Sequence, residues 1–189
     1  MRAQRMAYCP VEGNEVSRNN SSTPRSHVCV RPASAVDARA VATIYNAYVE
    51  NTVVTFETQP VEISEMAARI AAVEASGLPW LVAEFGESVA GFAFATPWKP
   101  RSAYRHSVEI TVYVAKALGG RGMGSMLYQA LFSQLRRSGV HAAMAGIALP
   151  NPASVALHEK CGMKKVAHFS EVGFKLDRWV DVGYWQRVL

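Results

Sequence analysis

The chain has few cysteines and no long apolar segment. Its three cysteines, Cys9, Cys29 and Cys161, are odd in number and form no Cys-x-x-Cys pair, and the five histidines have no ligand spacing. This pattern argues against a disulfide framework and a zinc site, so no metal is expected. The longest apolar candidate, residues 89–95, is far shorter than the roughly 20 residues that a membrane helix needs. These absences predict a cytoplasmic protein with no membrane partner.

Dense charge of one sign is also missing. Charged residues make up 19% of the chain and hydrophobic residues 50%, which is typical of a globular protein with one sizeable core. The net charge of +5 favours an anionic partner. Lys and Arg are nevertheless scattered rather than gathered into a stripe, so nucleic-acid binding is not expected.

The first 27 residues differ from the rest. They are polar, lack periodicity and contain no apolar segment of the kind found in signal peptides. They are interpreted as a disordered tail or as the product of a start codon placed too early. The folded domain is expected to span residues 28–189.

Residues 28–189 alternate between strand-like and helix-like patterns without strict βαβ order. They predict an α+β domain around one mixed, mostly antiparallel sheet flanked by helices. The expected helices cover about 37–51 and 61–76, then a stretch from just after Gly124 to about 138, and finally 154–161. The expected strands cover about 28–31, 53–56, 79–85, 89–96, 108–115, 141–148, 164–171 and 173–187.

The most informative segment runs from a strand through four glycines into a helix. Gly119, Gly120, Gly122 and Gly124 stand just before the apolar positions of that helix. Bare backbone N–H groups at a helix start suit a phosphate or diphosphate. The segment lacks the Lys of a P-loop and the third glycine of a dinucleotide fingerprint. A glycine-rich helix entry without a ligand is the alternative.

This segment resembles the Gln/Arg-x-x-Gly-x-Gly/Ala motif of the GNAT acetyltransferase superfamily. Gly122 and Gly124 match the motif, Gly119 replaces its first residue, and Arg121 is expected to supply the missing charge. A second GNAT motif, Asn-x-x-Ser-x-x-x-Tyr-Glu-x-x-Gly-Phe, is similar to residues 151–163. The resemblance implies the GNAT fold and acetyl-CoA as co-substrate. It implies cofactor contacts from Val112, Tyr113, Val114, Gly119, Gly120, Arg121, Gly122, Met123, Gly124, Ser125, Asn151 and Ser154.

His158 occupies the Tyr position of the second motif. In GNAT enzymes the Tyr can protonate the leaving thiolate, and a histidine can also give a proton near neutral pH. Alternatively, His158 is a polar residue favoured by the helix dipole. Cys161 lies on the same helix face, but a small packed hydrophobe is expected there rather than a nucleophile.

Across residues 28–188 the chain is most similar to phosphinothricin N-acetyltransferases. The similarity includes the segments 44–46, 54–57, 97–104, 109–114, 149–151, 173–175 and 179–186. These enzymes acetylate phosphinothricin and often methionine sulfoximine, so the resemblance implies a small anionic amino-acid acceptor. It also implies a homodimer and places Phe56, Thr111 and Lys175 at the acceptor pocket.

Glu109 can be argued from its strand. Val108, Ile110 and Val112 fall on one face, and a carboxylate within so apolar a strand needs a partner or a cleft. An amine must lose a proton before it attacks a thioester, and Glu109 is the family's general base by resemblance. An ion pair or an exposed strand residue is the alternative.

Residues 98–106 combine three formal positive charges with aromatic rings immediately before the Glu109 strand. Arg101, Tyr104 and Lys99, in that order of expectation, are predicted to bind the acceptor's acidic groups. The alternative is a solvated basic loop.

The function predicted from sequence is direct acetyl transfer in a ternary complex. A backbone N–H near residues 112–114 would stabilise the oxyanion, Glu109 would accept the amine proton, and His158 would return a proton to the thiolate. The alternatives are a GNAT enzyme for another amine such as a protein N-terminus, a non-catalytic acyl-CoA-binding module, and a basic nucleic-acid binder. The physiological acceptor does not follow from the sequence.

Overall fold

The computed structural model describes residues 28–189, which are built on one seven-stranded sheet. The strands are β1 (Val28–Pro32), β2 (Trp80–Phe85), β3 (Ser88–Pro97), β4 (Ser107–Val114), β5 (Ala142–Leu149), β6 (Lys164–Lys175) and β7 (Arg178–Val188). Their order is β1-β2-β3-β4-β5-β7-β6, and every neighbouring pair is antiparallel except β4–β5. The predicted mixed α+β sheet is confirmed. The prediction for residues 1–27 lies outside the described residues.

Four helices flank the sheet: α1 (Ala38–Asn51), α2 (Ile63–Ala75), α3 (Met123–Arg137) and α4 (Pro152–Lys160). The two-residue period of the strands divides the core between the two faces. In β2, for example, Trp80 and Val82 pack with α1 and α2, whereas Leu81 and Ala83 pack with α3. The sheet is therefore buried on both sides at its centre, and α4 packs beside α3.

The parallel pair β4–β5 is short, and this shortness creates an opening. The two strands pair only from Ser107 with Ala142 to Glu109 with Met144. Beyond Glu109 they separate, while β4 stays paired with β3 as far as Val114. The β5 side of residues 110–114 therefore has no strand partner within the described part of the chain.

Two strand predictions were wrong. The expected strand 53–56 lies in the irregular segment 52–62 between α1 and α2, whose backbone groups bond to side chains instead of to a strand. The amide of Asn46 bridges both backbone groups of Val61 at 2.8 and 2.9 Å. The last hairpin turns at Leu176 and Asp177 rather than near residue 172. Both residues adopt left-handed φ angles, and neither is a glycine that would have marked the turn in the sequence.

No helix among residues 28–189 is long and apolar enough to cross a membrane. The same residues contain no cluster of three or more His, Cys, Asp or Glu side chains that could hold a metal ion.

Candidate active site

The glycine loop (residues 119–125) opens α3 in a conformation that requires glycine. Gly120 and Gly122 have φ angles of +75° and +80°, where side chains with a Cβ are strained. Gly122 is the N-cap of α3. The first N–H groups of a helix have no partner inside it, so those after Gly122 are available to an anion. A Cβ on Gly124 would lie 2.8 Å from the side chain of Leu157, so this glycine also permits close packing of α3 on α4.

A cavity of about 570 Å³, the large cavity, lies over this loop and over the starts of α3 and α4. Eleven of the twelve residues predicted to bind the cofactor line it. They are Val112, Tyr113, Val114, Gly119, Gly120, Gly122, Met123, Gly124, Ser125, Asn151 and Ser154. Arg121 is the exception, because its guanidinium lies 5.5 Å from the centre of the Phe85 ring and it does not line the cavity.

The start of α4 is fixed by a side-chain cap. Asn151 Oδ1 accepts the backbone N–H of Ser154 at 3.2 Å, and Pro152 occupies the first helical turn, where its missing N–H costs nothing. This cap holds Ser154 at the wall of the large cavity and sets the position of His158 one turn later.

His158 is buried, with 3% of its surface exposed, and both ring nitrogens are occupied. Nδ1 lies 2.7 Å from the carbonyl oxygen of Ser154, which can only accept, so Nδ1 carries the proton. Burial lowers the pKa of His158, and the ring is therefore neutral near pH 7. Neutral Nε2 is an acceptor, and the hydroxyl of Tyr128 donates to it at 2.7 Å. Direct proton donation by His158 therefore has no free N–H in this arrangement.

A cavity of about 90 Å³, the gap cavity, fills the opening between β4 and β5. Thr111, Gly146, Tyr128 and His158 line it, and it shares Val112 and Tyr113 with the large cavity. A group that enters from the glycine loop can therefore follow β4 to the point where the strands separate.

Glu109 stands at that point, in the last residue pair of β4 and β5. Burial raises the pKa of Glu109, while a hydrogen bond from Tyr184 and the charge of Lys99 act in the opposite direction. A Cβ on Gly146 would lie 3.3 Å from the Tyr184 ring and 3.5 Å from Glu109 Oε1. The absent side chain of Gly146 thus leaves space for the carboxylate and the phenol over β5.

The basic loop (residues 98–106) meets this site through Trp98 and Lys99. The Trp98 ring packs edge-on against Tyr184 at 5.4 Å, and Lys99 Nζ lies 4.8 Å from the centre of the Trp98 ring. Arg101 and Tyr104 are exposed and line none of the cavities described. Of these three side chains, Lys99 is the one whose charge lowers the pKa of the Glu109 carboxyl.

Phe56 contacts the strand that carries Lys175, and Lys175 contacts the segment that carries Phe56. Neither side chain lines these cavities. The Phe56 ring lies directly on Gly173, where a Cβ would clash with three ring carbons. Lys175 is buried and its Nζ donates to the carbonyl of Thr55 at 2.8 Å. Burial lowers the pKa of Lys175. Lys175 therefore fixes the segment that carries Phe56, and its own side chain does not line these cavities.

Sequence reasoning missed Tyr128, Tyr184 and Gly146. Tyr128 lies in the apolar stripe of α3 and is fully buried, so its pattern indicates core packing. The tyrosine hydroxyl could have indicated a polar role, because a buried Tyr usually finds a hydrogen-bond partner. Gly146 lies within an otherwise apolar strand, a position that often marks a close approach by another group.

Comparisons with known proteins agree with this geometry. The acetyltransferase (GNAT) domain model matches residues 30–183. The phosphinothricin N-acetyltransferase of Streptomyces viridochromogenes is 42% identical over 166 residues, which cover 88% of this chain and 90% of that protein. The L-methionine sulfoximine/L-methionine sulfone acetyltransferase of Salmonella typhimurium is 34% identical over 157 residues, which cover 83% and 92%.

A solved structure shares the fold as well. The crystal structure of a GNAT superfamily phosphinothricin acetyltransferase from Sinorhizobium meliloti in complex with AcCoA has a TM-score of 0.83 at 34% identity, and the match covers 86% of this chain and 88% of that one. The predicted GNAT fold is confirmed, and the family match spans most of the sequence. The chain therefore belongs to the GNAT family of acetyltransferases.

Proposed function

We propose that this acetyltransferase transfers the acetyl group of acetyl-CoA directly to the α-amine of a small anionic amino acid of the phosphinothricin or methionine sulfoximine type. The observation that carries the proposal is the position of Glu109. Its half-buried carboxyl lies where β4 and β5 separate, beside Gly146, which lines the gap cavity. The relatives that act on phosphinothricin or methionine sulfoximine support this choice of acceptor.

Acetyl-CoA fits the large cavity because the cavity offers one kind of partner to its phosphates and another to its pantetheine arm. The N–H groups at the start of α3 suit the diphosphate. The β5 side of residues 110–114 has backbone groups without a strand partner, and these suit the amides of the pantetheine arm. An N–H from this edge is positioned for the oxyanion that forms when the thioester carbonyl is attacked. Arg121 remains a proposed diphosphate contact.

The transfer then needs a base at the acceptor side. The amine nitrogen attacks the thioester carbonyl carbon, and Glu109, directly or through water, accepts the proton that the nitrogen loses. The tetrahedral intermediate collapses by breaking the carbon–sulfur bond, which leaves the N-acetyl product and the thiolate of coenzyme A. Because burial raises the pKa of Glu109, its carboxylate is a stronger base than a solvated one.

The thiolate finally takes a proton, and the geometry favours a route through Tyr128. Because His158 is neutral at rest, its Nε2 must first take up a proton from water; it then donates to the Tyr128 oxygen and frees the tyrosine proton for the gap cavity. The sulfur receives the proton of Tyr128 as Tyr128 receives that of His158. His158 thus keeps its proposed role as the proton source, but acts through the tyrosine.

The acceptor's acidic groups are proposed to meet the basic loop. Lys99 is within electrostatic range of Glu109, and the exposed side chains of Arg101 and Tyr104 are free to approach a bound acceptor. Thr111 lies in the wall of the gap cavity, while Phe56 and Lys175 shape the site through the segment 52–62.

The last hairpin supports a homodimer. β6 is an edge strand, and exposed apolar side chains cover the hairpin: Val166, Phe169, Val172, Phe174, Leu176 and Trp179. An exposed apolar patch on an edge strand is typical of an interface. Phe169 also packs against Tyr184 at 5.8 Å, so a second copy at this hairpin would adjoin the base. We also propose a cytoplasmic location for the protein.

The decisive experiment is a thiol-release assay with acetyl-CoA and four kinds of acceptor: phosphinothricin, methionine sulfoximine, ordinary amino acids and a peptide amine. We expect kcat/KM to be highest for the first two. Preference for the peptide amine would instead favour an enzyme for protein N-termini. Acetyl-CoA binding by calorimetry without turnover on any amine would indicate an acyl-CoA-binding module, for which the half-buried Glu109 has no use.

A further inference from the structure

A third cavity, the basic cavity, lies beside α3 and has no role in the steps above. Its volume is about 410 Å³. Three cations line it, and each comes from a different element: Arg136 from the last turn of α3, Lys160 from the end of α4, and Arg187 from β7. None of the described residues that line the basic cavity is acidic. A concave surface that carries charge of one sign attracts a ligand of the opposite sign.

The three cations have no carboxylate partner. Among residues 28–189, no Asp or Glu side chain forms an ion pair with Arg136, Lys160 or Arg187. Glu159, which precedes Lys160 in the sequence, accepts the indole N–H of Trp185 at 3.3 Å instead and does not line the basic cavity. The positive charge of the basic cavity is therefore left for a ligand or for solvent.

Arg187 is held in place by its neighbours. Its Nη1 donates to the carbonyl oxygen of Cys161 at 2.5 Å, and its guanidinium lies 4.9 Å from the centre of the Phe132 ring. A Cβ on Gly162 would meet Arg187 Cζ at 3.5 Å, so the guanidinium packs closely on this glycine. Arg187 therefore contributes a fixed charge, whereas the exposed side chains of the other two cations are free to close on a ligand.

Position at a helix end explains only part of this arrangement. Cations in the last turn of a helix are favoured by its dipole, and Arg136, Arg137 and Lys160 all occupy such turns. Arg137, however, does not line the basic cavity, and Arg187 lies on a strand. The helix dipole therefore accounts for basic helix ends, but not for cations of three elements that meet at one cavity.

The basic cavity adjoins the large cavity, because Ser125 and Lys160 line both. A different pair of residues, Val112 and Tyr113, joins the large cavity to the gap cavity. The gap, large and basic cavities therefore form a series, and the large cavity with its glycine loop is the middle member.

The order of chemical groups in acetyl-CoA matches this series. The pantetheine arm and the acetyl group lie on one side of the diphosphate, and a ribose that carries a 3′-phosphate lies on the other. With the diphosphate at the start of α3 and the thioester at the gap cavity, the ribose faces the shared wall of Ser125 and Lys160. Arg136 lies about three turns from Ser125 on the same face of α3, and helical side chains lean toward the N-terminus.

We propose that the basic cavity binds the 3′-phosphate of coenzyme A through Arg136, Lys160 and Arg187. This inference rests on the proposed placement of acetyl-CoA in the large cavity. A phosphate monoester carries about 1.5 to 2 negative charges at neutral pH, and Arg and Lys bind it through charge-assisted hydrogen bonds. The nucleotide end of coenzyme A is thus recognised by side chains, whereas its diphosphate is held by backbone N–H groups.

Calorimetry with coenzyme A and with 3′-dephospho-coenzyme A, which differ only by this phosphate, tests the inference without an acceptor. We expect the Kd of 3′-dephospho-coenzyme A to be at least about tenfold higher for the wild-type protein. Equal affinities would overturn the inference. Failure to bind either compound would refute the placement of coenzyme A itself. The expected preference without turnover on any amine would keep the inference and refute the proposed enzyme.

Two variants identify the residues that bind the phosphate. We expect Arg136→Gln and Lys160→Gln each to raise the Kd of coenzyme A roughly threefold, and the double variant roughly tenfold, with little change for 3′-dephospho-coenzyme A. Both side chains are exposed, so the fold should be kept. Arg187 is left unchanged because it supports the end of α4 through Cys161.

Arg137→Gln is the matched control, since Arg137 is the exposed neighbour of Arg136 and does not line the basic cavity. It should leave both affinities unchanged. Equal losses for the two ligands in the double variant, or equal effects of Arg136→Gln and Arg137→Gln, would overturn the assignment.

Ionic strength provides a second readout. Because exposed charges are screened by salt, the ratio of the two Kd values should shrink between about 0.05 and 1 M salt in the wild-type protein. A ratio that did not depend on salt would overturn the role of the cations.

Discussion

The acetyl-CoA side and the acceptor side of the proposed site are built in different ways. The glycine loop and the start of α4 come from two continuous segments, 119–125 and 151–158, and they offer mainly backbone groups. The acceptor side combines Glu109, Gly146 and Tyr184 from three strands, with Lys99 from the basic loop, and it depends on side chains. Chemistry common to a superfamily can rest on main-chain geometry, whereas acceptor choice needs side chains that can vary.

The two sides also differ in electrostatics. Main-chain N–H groups at the start of α3 do not titrate, so their attraction for phosphates is constant across pH. Glu109 does titrate, and burial, Tyr184 and Lys99 all act on its pKa. Substitutions on the acceptor side should therefore change the rate and its pH dependence, and substitutions in the glycine loop should change acetyl-CoA affinity.

The largest expected effect follows from removing the base. Glu109→Gln preserves the shape of the side chain but cannot accept the amine proton, so kcat at neutral pH should fall by about 10²–10⁴-fold. Calorimetry should find acetyl-CoA affinity unchanged. Glu87→Gln, in the exposed turn between β2 and β3, is the matched control and should behave as wild type. If Glu109→Gln turned over normally, the acceptor side would have lost its central residue.

The same contrast explains what could be read from the sequence. The glycine loop is local: four glycines before an amphipathic helix predict both the turn and its ligand, and the structure places eleven of the twelve predicted contacts at one cavity. Glu109 was also predictable, because a carboxylate in an apolar strand is unusual. The partners of Glu109 were not, because Gly146 and Tyr184 reach it only through the register of β5 with β7.

The wrong strand prediction over residues 53–56 has the same physical origin. The segment 53–56 has strand-like residues, but Lys175 and Asn46 take its neighbouring backbone hydrogen bonds, and no local pattern encodes a lysine about 120 positions away. Arg121 stays a proposed diphosphate contact, although its guanidinium lies over the Phe85 ring. Its stacking on Phe85 depends on how the loop meets β2, which the sequence does not reveal.

A smaller effect is expected on the acetyl-CoA side. Gly122→Ala puts a Cβ at a φ of +80°, which costs about 1–2 kcal/mol and lets the empty loop relax away from the binding conformation. We expect the KM for acetyl-CoA to rise about tenfold, with kcat at saturation largely kept. Gly77→Ala, at a φ of +74° just after α2, carries the same strain and should leave this KM unchanged. A similar rise in both variants would assign the effect to general destabilisation.

The smallest effect is a shift of the pH profile on the acceptor side. The hydrogen bond from Tyr184 lowers the pKa of Glu109, so Tyr184→Phe should raise that pKa further. Glu109 must be ionised to accept a proton. The acidic limb of the pH profile of kcat should therefore move to higher pH. The phenylalanine ring keeps the contacts with Trp98 and Phe169.

Lys99 allows this shift to be divided into its causes. Lys99→Gln should move the acidic limb in the same direction, because the positive charge of Lys99 also lowers the pKa of Glu109. Lys99 is exposed, so about 1 M salt, which shortens the Debye length to about 3 Å, should abolish its contribution and leave that of the Tyr184 hydrogen bond. Arg101→Gln is the matched control and should not move the limb at either salt concentration. A limb that stayed fixed in Tyr184→Phe would mean that Glu109 does not set the pH dependence, and the titrating group would then have to be sought elsewhere along the acceptor side.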